Sequence, residues 1–499
     1  MTLTAEQALS VVNRLYATLT NRRNEIQRFE DYYEGVHPLR FASPEWRKDH
    51  ALRFKDFSDN WCAVVADASV ERLAVDGFRV DDEGDIISDD EQMLMRDWDL
   101  NEMPAKSSQG FLQSSIARRS AVIVWGNRDD EPVITWEHPS QLIVDYVPGD
   151  GTARYALKSW CDDEDEFATL YTADEVWKFQ RKASRVNFVA GISDSGLILP
   201  SGVSWPGQGG WEKRQPTEDD TWPIKNPLGK LPVREFQNRP LLNRGPLSDI
   251  AGTVAMQDAI NLLWAYLFAA ADYASMPARV VLGLEPPKMP VFDATGQKIG
   301  ERPVDMEALQ KGRMLWLTGQ GGDIKQWDAA KLDVFTNVIN IAVKHVAAQT
   351  KTPIHYIVGE LGNVNGDTLA ATETPAASKA RKTHTFYTPE VRGTFELMAL
   401  VRGNTKLAEA CRVGTVQWRN PETVSDAQVA DAASKDKAVG FPLMWIAEKR
   451  YGYTQAELAK LQQMLEAERT DPVLQQALKD TLTPQAPADQ SGTAGAPLG

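Results

Sequence analysis

The sequence has few cysteines, no excess of basic residues and no long apolar run. Its three cysteines, Cys62, Cys161 and Cys411, lie about 100 and 250 residues apart, so their spacing fits neither a disulfide framework nor a zinc site. Such usage is typical of a reducing cytoplasm. The net charge of −15 argues against a protein that grips nucleic acid with a broad basic face. It does not exclude one past which nucleic acid slides.

The longest apolar window is too short to cross a membrane. It spans Ala259–Ala271, bounded by Asp258 and Asp272, and its 13 residues fall short of the roughly 20 that a bilayer needs. The N-terminus carries Glu6 and Arg14 and therefore lacks the apolar core of a signal peptide. We expect a soluble protein with no membrane partner.

Enzyme motifs are missing as well. Pro227–Leu231 matches only part of a phosphate-binding loop and lacks the Ser or Thr hydroxyl that would bind a metal ion. The sequence has no dinucleotide fingerprint, nucleophile elbow or H-E-x-x-H motif. The six histidines are scattered, and a predicted helix end separates His345 from His355. The acidic run Asp81–Asp90 is interpreted as a solvated loop, because nothing fixes the geometry of metal ligands. The sequence predicts no catalytic residue, no metal site and no cofactor.

The first half of the chain combines helices with strands. Apolar spacing and cap residues predict helices at Thr4–Glu34, from Ser43-Pro44, at Asn60–Leu73 and at Phe111–Arg119, with a strand at Ala74–Val80. Five further runs predict one antiparallel sheet: Ala121–Trp125, Val133–Glu137, Gln141–Val147, Tyr155–Trp160 and Phe167–Phe179. We expect a long surface loop at Gly191–Pro227, which is either an interaction loop or disordered. A strand is predicted at Lys230–Gln237.

The stretch Gly245–Asp367 is expected to organise the molecule. A first long helix is predicted from Ser248 to Ser275, with one small and acidic stripe and an opposite aliphatic side. A β-rich insertion of about 50 residues follows. A second long helix then runs from Asp328 to about Gln349, and we expect the two helices to lie side by side. The alternative interpretation of the acidic stripe is the solvent-exposed face of an ordinary amphipathic helix.

The remainder of the chain is predicted to be helical and then disordered. Ile354–Gly366 is a Gly- and Asn-rich loop. The helix that restarts at Asp367 is predicted to be kinked or broken at Pro375 and at Pro389. Three amphipathic helices and a disordered tail complete the chain: Ser425–Ala438, Pro442–Tyr451, Thr454–Glu468 and Thr483–Gly499. The fold class is therefore α+β and mainly helical.

Six segments in a fixed order give the chain a family resemblance. They are RFEDYYEG (28–35), DNWCAVVADASVERLAVDGF (59–78), PVREFQNRP (232–240), GPLSDIAGTVAMQDAINLL (245–263), MPARVVLG (276–283) and TPIHYIVGELGNVNGDTLAA (352–371). With this order the chain resembles portal proteins of tailed bacteriophages, particularly of siphophages that infect actinobacteria, over roughly Thr4 to Glu468. Pro375 departs from the pattern and leaves the geometry of its helix open.

The resemblance implies a portal fold with named parts. These are a wing (1–245), a first stem helix (246–277), a clip (278–327), a second stem helix (328–351), a tunnel loop with its following helix (352–386), a crown (387–482) and a disordered tail (483–499). It also implies candidate site residues. His355, Tyr356, Glu360, Asn363 and Asn365 would belong to the tunnel loop, and the stem residues that would line a channel are Asp258, Asn261, Asp272, Lys344 and Lys351. Solvated surface lysines are the alternative for the last two.

The resemblance further implies a function without enzymatic activity. Portal subunits form a ring, usually of twelve, at one capsid vertex of the virion, and double-stranded DNA passes through it during packaging and ejection. The implied partners are the terminase large subunit, the head–tail adaptor and the major capsid protein, with scaffolding protein as a further candidate, and assembly would occur in the host cytoplasm. Twelve copies would carry a charge of roughly −180, which repels DNA. The alternatives are a capsid or tail-tube subunit, or a nuclease or terminase component.

Overall fold

The computed structural model describes residues 2–470 except for short internal stretches. Those outside the description are 51, 55–56, 81–86, 163, 184–185, 189–190, 193–197, 200–201, 205–206, 216–220, 243, 276–278, 283–287, 293–295, 304–313, 318–322, 327–330, 359–365 and 423–425. Several predictions therefore lie outside the described residues. They concern most of the acidic run after Val80, about half of the β-rich insertion, Glu360, Asn363 and Asn365, and the tail from Thr483.

Helix outweighs strand, at about 51% against 22%, which confirms an α+β protein that is mainly helical. The described helices are α1 (Ala5–Glu34), α2 (Pro44–His50), α3 (Trp61–Val70), α4 (Asp89–Leu100), α5 (Met103–Ala117), α6 (Val254–Ser275), α7 (Asp333–Thr350), α8 (Ile354–Val358), α9 (Gly366–Val401), α10 (Thr405–Cys411), α11 (Asp426–Val439), α12 (Leu443–Lys449) and α13 (Gln455–Thr470).

The described strands number twenty. They are β1 (Val75–Arg79), β2 (Arg119–Gly126), β3 (Pro132–Glu137), β4 (Leu142–Tyr146), β5 (Ala153–Asp162), β6 (Asp165–Tyr171), β7 (Glu175–Ala183), β8 (Val186–Phe188), β9 (Gly191–Ile192), β10 (Ile198–Leu199), β11 (Gly202–Ser204), β12 (Gly207–Lys213), β13 (Ile224–Lys225), β14 (Val233–Gln237), β15 (Arg279–Leu282), β16 (Lys288–Phe292), β17 (Lys298–Pro303), β18 (Met314–Leu317), β19 (Asp323–Gln326) and β20 (Thr415–Trp418).

Helix α1 covers one face of the largest sheet. It begins at a capping box formed by Thr4 and Gln7 and ends at Gly35, whose φ of 88° suits glycine. Its apolar side meets the sheet in one buried cluster, whose members are Ala8, Val12, Leu15, Leu19, Ile143, Leu157, Ala168, Leu170, Trp177, Phe179 and Trp211. The predicted amphipathic helix is therefore confirmed, together with the surface that its apolar stripe covers.

The strands of the first half form two main sheets where one was predicted. The larger has the order β12-β7-β6-β5-β4 with β13 also on β7, and the smaller has the order β14-β2-β3. The two sheets pack together through Ile123 and Val233 on one side and Val144 and Ala156 on the other. The prediction of a long surface loop at Gly191–Pro227 is wrong where β9 to β13 form, because these short strands pair with each other, with β8 and with β7.

Helix α9 is continuous, so of the two outcomes predicted at Pro375 and Pro389, a kink or a break, the break is wrong. Both prolines lie inside its 36 residues, although each removes a backbone hydrogen bond and costs about 3 kcal/mol. Tertiary packing offsets this cost in the second half of the helix, where Phe395 stacks on Phe78 with ring centroids 4.2 Å apart within a large buried cluster. The expected boundary between residues 386 and 387 falls inside this one helix.

The second half of the chain is joined to the first through strand pairing and close packing. Strand β20 pairs with β1 across more than 300 residues of sequence, and β2 and α9 share one core. Helix α5 approaches that core closely because residue 110 is glycine: a Cβ there would lie 2.0 Å from the Trp136 ring. The helices predicted near Ser425, Pro442 and Thr454 are confirmed as α11, α12 and α13.

The helix–strands–helix order of the central stretch is confirmed. Helix α6 begins at Val254 rather than at Ser248, and α6 and α7 pack side by side around Ile260, Ile339 and Val343. Between them, the described residues form a three-stranded sheet, β18-β15-β19, and a hairpin of β16 and β17. The hairpin is exposed along the whole of β16.

Candidate functional site

The candidate site consists of α6, α7 and the segment that follows, since the sequence prediction placed channel-facing residues there. Two opposite sides of α6 are covered. Ile260 packs towards α7, whereas Leu262 and Ala265 pack against the segment around Leu39 and Phe54. On a helix Leu262 and Ala265 lie about 140–160° around the axis from Ile260. Asp258 and Asn261 lie on the side of Leu262 and Ala265, nearer the beginning of the helix, and meet α1 and the loop before α3.

These polar residues form a buried network. The Tyr32 hydroxyl lies 2.8 and 2.9 Å from the two carboxylate oxygens of Asp258. The Asn261 side chain donates to His37 Nδ1 at 2.7 Å and accepts from the Asp59 backbone N–H at 3.0 Å. Asp258 is 3% exposed and Asn261 is 1% exposed.

The prediction that Asp258 and Asn261 belong to a wet stripe is therefore wrong. Their side chains are enclosed by the subunit's own residues and have hydrogen-bond partners there, so they cannot also face a channel. The sequence could not distinguish the two cases, because their partners Tyr32 and His37 lie more than 200 residues away. Helical spacing identifies a polar side but not the element that covers it.

Burial sets the protonation states of this network. It raises the pKa of the Asp258 carboxyl, an effect that the hydrogen bond from Tyr32 opposes, and it also raises the pKa of the Tyr32 hydroxyl. Burial lowers the pKa of His37 to about 4. A neutral His37 with its proton on Nε2 fits the geometry, because Nε2 lies 3.0 Å from the Tyr32 carbonyl oxygen and Nδ1 accepts from Asn261.

The other three predicted channel residues lie at the surface. Asp272 keeps 42% of its side chain exposed and forms an ion pair with Arg53. Lys344 is exposed on α7, and Lys351 is exposed just after it in a left-handed conformation with φ of 60°. Their roles in a channel remain predictions, because accessibility in one subunit does not fix what they face in an assembly.

The predicted loop residues divide into two groups. His355 and Tyr356 lie in the short helix α8, and Glu360, Asn363 and Asn365 lie outside the described residues. His355 Nε2 is 3.3 Å from Glu373 Oε1, and Arg72 Nη2 is 3.4 Å from Glu373 Oε2. Arg72 Nη2 also lies 3.5 Å from the Tyr356 hydroxyl. Glu373 thus connects the segment before residue 359 to the first turns of α9 and to the end of α3.

A second buried ion pair holds the end of α7. Lys379 Nζ lies 3.1 Å from Asp249 Oδ2 and 2.7 Å from the Ser69 hydroxyl oxygen, and it is 3.4 Å from the Thr350 carbonyl oxygen. Burial lowers the pKa of Lys379 despite the carboxylate. For Asp249, burial acts to raise the pKa, but Lys379 and Arg239 outweigh it and the pKa is lowered.

The sequence prediction missed Arg72, Glu373, Lys379 and Asp249. Arg72 and Asp249 lie inside two of the six family segments (59–78 and 245–263). The ion-pair partners of all four residues nevertheless come from other parts of the chain, so no local spacing could have singled them out. They fix the ends of α7, α8 and α9 relative to α3. In the part of the chain that the structure describes, no group of three or more His, Cys, Asp or Glu residues could hold a metal ion.

By length and composition, the segment Val254–Asp272 of α6 is apolar enough to cross a membrane. Half of that segment is buried inside the subunit, and its polar side is bound to Tyr32 and His37. Such burial is typical of a core helix of a globular protein.

Comparisons with known proteins place the chain in one family. A family model described as "Phage portal protein, SPP1 Gp6-like" matches residues 13–471. The chain is 26% identical over 427 residues to the "Portal protein" of Mycobacterium phage D29, and the aligned region covers 81% of this chain and 78% of that protein. It is 25% identical over 392 residues to the "Portal protein" of Mycobacterium phage L5, covering 74% and 71%. The resemblance predicted from the six segments is confirmed: the chain belongs to the phage portal protein family.

Proposed function

We propose that this portal protein forms a ring of about twelve subunits at one vertex of the capsid, and that double-stranded DNA passes through the ring during packaging and ejection. Its ring would be assembled in the host cytoplasm and would dock the terminase large subunit, then the head–tail adaptor. The major capsid protein, and scaffolding protein during assembly, are the further proposed partners. The observation that carries the proposal is the family match over residues 13–471.

The order of elements supports this role. In the proposed assignment α6 and α7 form the stem, the strands between them form the clip, and residues 359–365 with α8 form the tunnel loop. A conduit must let DNA slide, and each phosphate neutralised by a fixed cation adds salt-dependent affinity. Exposed Lys344 and Lys351 would contribute only sparse basic rings in a chain with a net charge of −15.

Electron microscopy of the purified protein tests the ring. Negatively stained particles are expected to be annular with a central hole, and their rotational symmetry would give the number of subunits. A monodisperse monomer in every buffer tried would contradict the proposal. Cleavage of DNA or hydrolysis of ATP that a single acidic substitution abolishes would instead favour an enzyme of the packaging machinery.

Deletion within Glu360–Asn365 tests the loop. We expect rings to assemble, because α8 and α9 remain held by Glu373, and we expect the yield of packaged genomes to fall. A matched control is a deletion of similar length in the exposed turn 148–151, which lies between β4 and β5. A loop variant that packages as well as this control would remove the loop from the mechanism.

A further inference from the structure

The two main sheets of the N-terminal part leave an open cleft between them. Their closed end is packed around Ile123 and Val144, whereas further along the strands the sheets enclose a cavity of about 390 Å³. Residues from β2 and β3 line one side, and residues from β5, β6 and β7 line the other. A cavity of this size is in the range of sites that bind small molecules or anchor side chains.

The cleft walls are mainly apolar and aromatic. Trp125, Trp160 and Tyr171 supply the aromatic surface, and Val176 and Ile224 supply aliphatic surface. The Tyr171 hydroxyl has no hydrogen-bond partner among the described residues. A cleft that presents this much apolar surface favours an occupant with at least one bulky apolar side chain.

Among the described residues that line the cleft, the positive charges outnumber the negative charges. Lys158 donates to the buried Glu137 at 2.7 Å, which neutralises both. Lys178 and Arg214, both half-buried, have no carboxylate within ion-pair distance in the part of the chain that the structure describes. Two cations without a carboxylate partner among the described residues stand out beside an apolar cleft in a chain with a net charge of −15, and they favour an anionic occupant.

Nucleic acid fits this site less well than a peptide does. Binding of single strands relies on open aromatic faces on which bases stack. Here Trp160 already has Lys158 Nζ 5.4 Å and the Arg214 guanidinium carbon 5.6 Å from its ring centroid, and the guanidinium of Arg214 also lies 4.2 Å from the Phe167 ring centroid. The other walls combine aliphatic side chains with Trp125 and Tyr171, and such apolar walls suit a leucine or phenylalanine side chain better than a sugar–phosphate backbone.

We propose that this cleft is a docking site for an acidic peptide segment of a partner protein. The segment would insert one bulky apolar side chain between the two sheets and place its carboxylates on Lys178 and Arg214. The site lies within one subunit and is separate from α6 and α7, so the proposal does not depend on the channel function.

Binding of short labelled peptides to the full-length protein tests the proposal. The probe is fluorescein-labelled EELFEE, and its comparison peptides are KKLFKK, which reverses the charge, and EEGSEE, which lacks the apolar anchor. By fluorescence polarisation we expect saturable binding of EELFEE. Each comparison peptide should bind at least about tenfold more weakly, since a charged hydrogen bond or an apolar anchor is worth that factor or more.

Charge reversals in the cleft localise the binding. Lys178→Glu and Arg214→Glu should each weaken EELFEE binding by roughly tenfold or more. If a charge reversal unfolds the protein, Lys178→Gln replaces it as the test variant and should weaken binding less. The matched control is Lys213→Glu, because Lys213 precedes Arg214 in the chain but does not line the cleft. This control should bind as the unmodified protein does.

Three results would overturn the proposal. The first is no saturable binding of EELFEE, and the second is equal binding of KKLFKK or an equal loss in Lys213→Glu, either of which would indicate non-specific charge. The third is tighter binding of a six-nucleotide oligothymidylate that Lys178→Glu abolishes, which would make the cleft a nucleic-acid site. Loss of peptide binding with annular particles intact would leave the proposed channel function untouched.

Discussion

Replacing Tyr32 with phenylalanine should loosen the joint between α1 and the first long helix. The substitution removes one hydroxyl, which lies 2.8 and 2.9 Å from the carboxylate oxygens of Asp258, and leaves the ring in its buried place. Asp258, only 3% exposed, would then remain buried but would lose the hydrogen bond that the Tyr32 hydroxyl donates. The expected effect is a loss of stability, together with a further rise in the pKa of Asp258.

The structure sets the magnitude of this effect. A hydrogen bond to a charged group contributes about 1.5–3 kcal/mol, and an unpaired buried acceptor retains its desolvation cost. We therefore expect Tyr32→Phe to lower the free energy of unfolding by about 2 kcal/mol at neutral pH. For a cooperative unit of 150–250 residues this corresponds to a fall in Tm of roughly 4–8 °C. The loss should shrink at low pH, where Asp258 takes up a proton and no charge is left unpaired.

The neighbouring residue provides the control. Tyr33 donates to Asp67 at 3.0 Å, but both side chains are partly exposed, so water replaces the lost hydroxyl in Tyr33→Phe. Its expected cost is about 0.5–1.5 kcal/mol. Both variants should be melted in the same assembly state and followed by hydrogen exchange of α6. A Tyr32→Phe variant no less stable than Tyr33→Phe, or with unchanged exchange in α6, would refute the reasoning.

Three further predictions follow from other parts of the site. Glu373→Gln should cost roughly 1.5–3 kcal/mol because Arg72 and His355 lose their carboxylate, and hydrogen exchange should rise in α8 and in the first turns of α9 but not in α1. Pro375→Ala should raise Tm, with a gain of up to about 3 kcal/mol, because it restores a backbone donor at an exposed position of α9; an unchanged or lower Tm would contradict this. Burial lowers the pKa of His37 to about 4 from an ordinary value of 6.5. Neutral His37 therefore contributes fully to the stability of the folded protein above pH 6.5, and this contribution is lost as the pH falls towards 4. His37→Asn should flatten the fall in Tm across that pH range.

The sequence predicted the elements of the central stretch well because they depend on local patterns. Apolar spacing located α6 and α7, and the β-rich insertion predicted between them contains the described strands β15 to β19. Outside that stretch, the helix predicted at Asn60–Leu73 corresponds to α3, with Asn60 as its N-cap. Each of these signals is complete within a few residues, so no information from elsewhere in the chain was needed.

The failures share a different cause, which is tertiary structure. Pro375 and Pro389 are strong local breakers, yet α9 continues because its buried face packs into the large core. Asp258 and Asn261 were predicted to be solvent-exposed because the residues that cover them, Tyr32 and His37, belong to another helix and to the loop after it. The ion pairs of Glu373 and Lys379 arise in the same way, from residues far apart in sequence. One sequence contains no signal for such pairings.

The two buried polar clusters lie at the same end of the α6–α7 pair, where α6 begins and α7 ends, and this position suggests what they do. Tyr32 and Asp258 hold the beginning of α6 to α1, whereas Glu373 and Lys379 hold the segments after α7 to α3 and α9. An apolar contact tolerates sliding, but a buried hydrogen-bonded charge has one satisfactory arrangement and costs several kcal/mol when it is broken. The helix pair is thus fixed to the body of the subunit at the end where α6 begins and α7 ends. For a ring through which DNA passes, we expect force on the helices and the loop to be transmitted to the body through these two joints, which is why Tyr32 and Glu373 are the residues to substitute first.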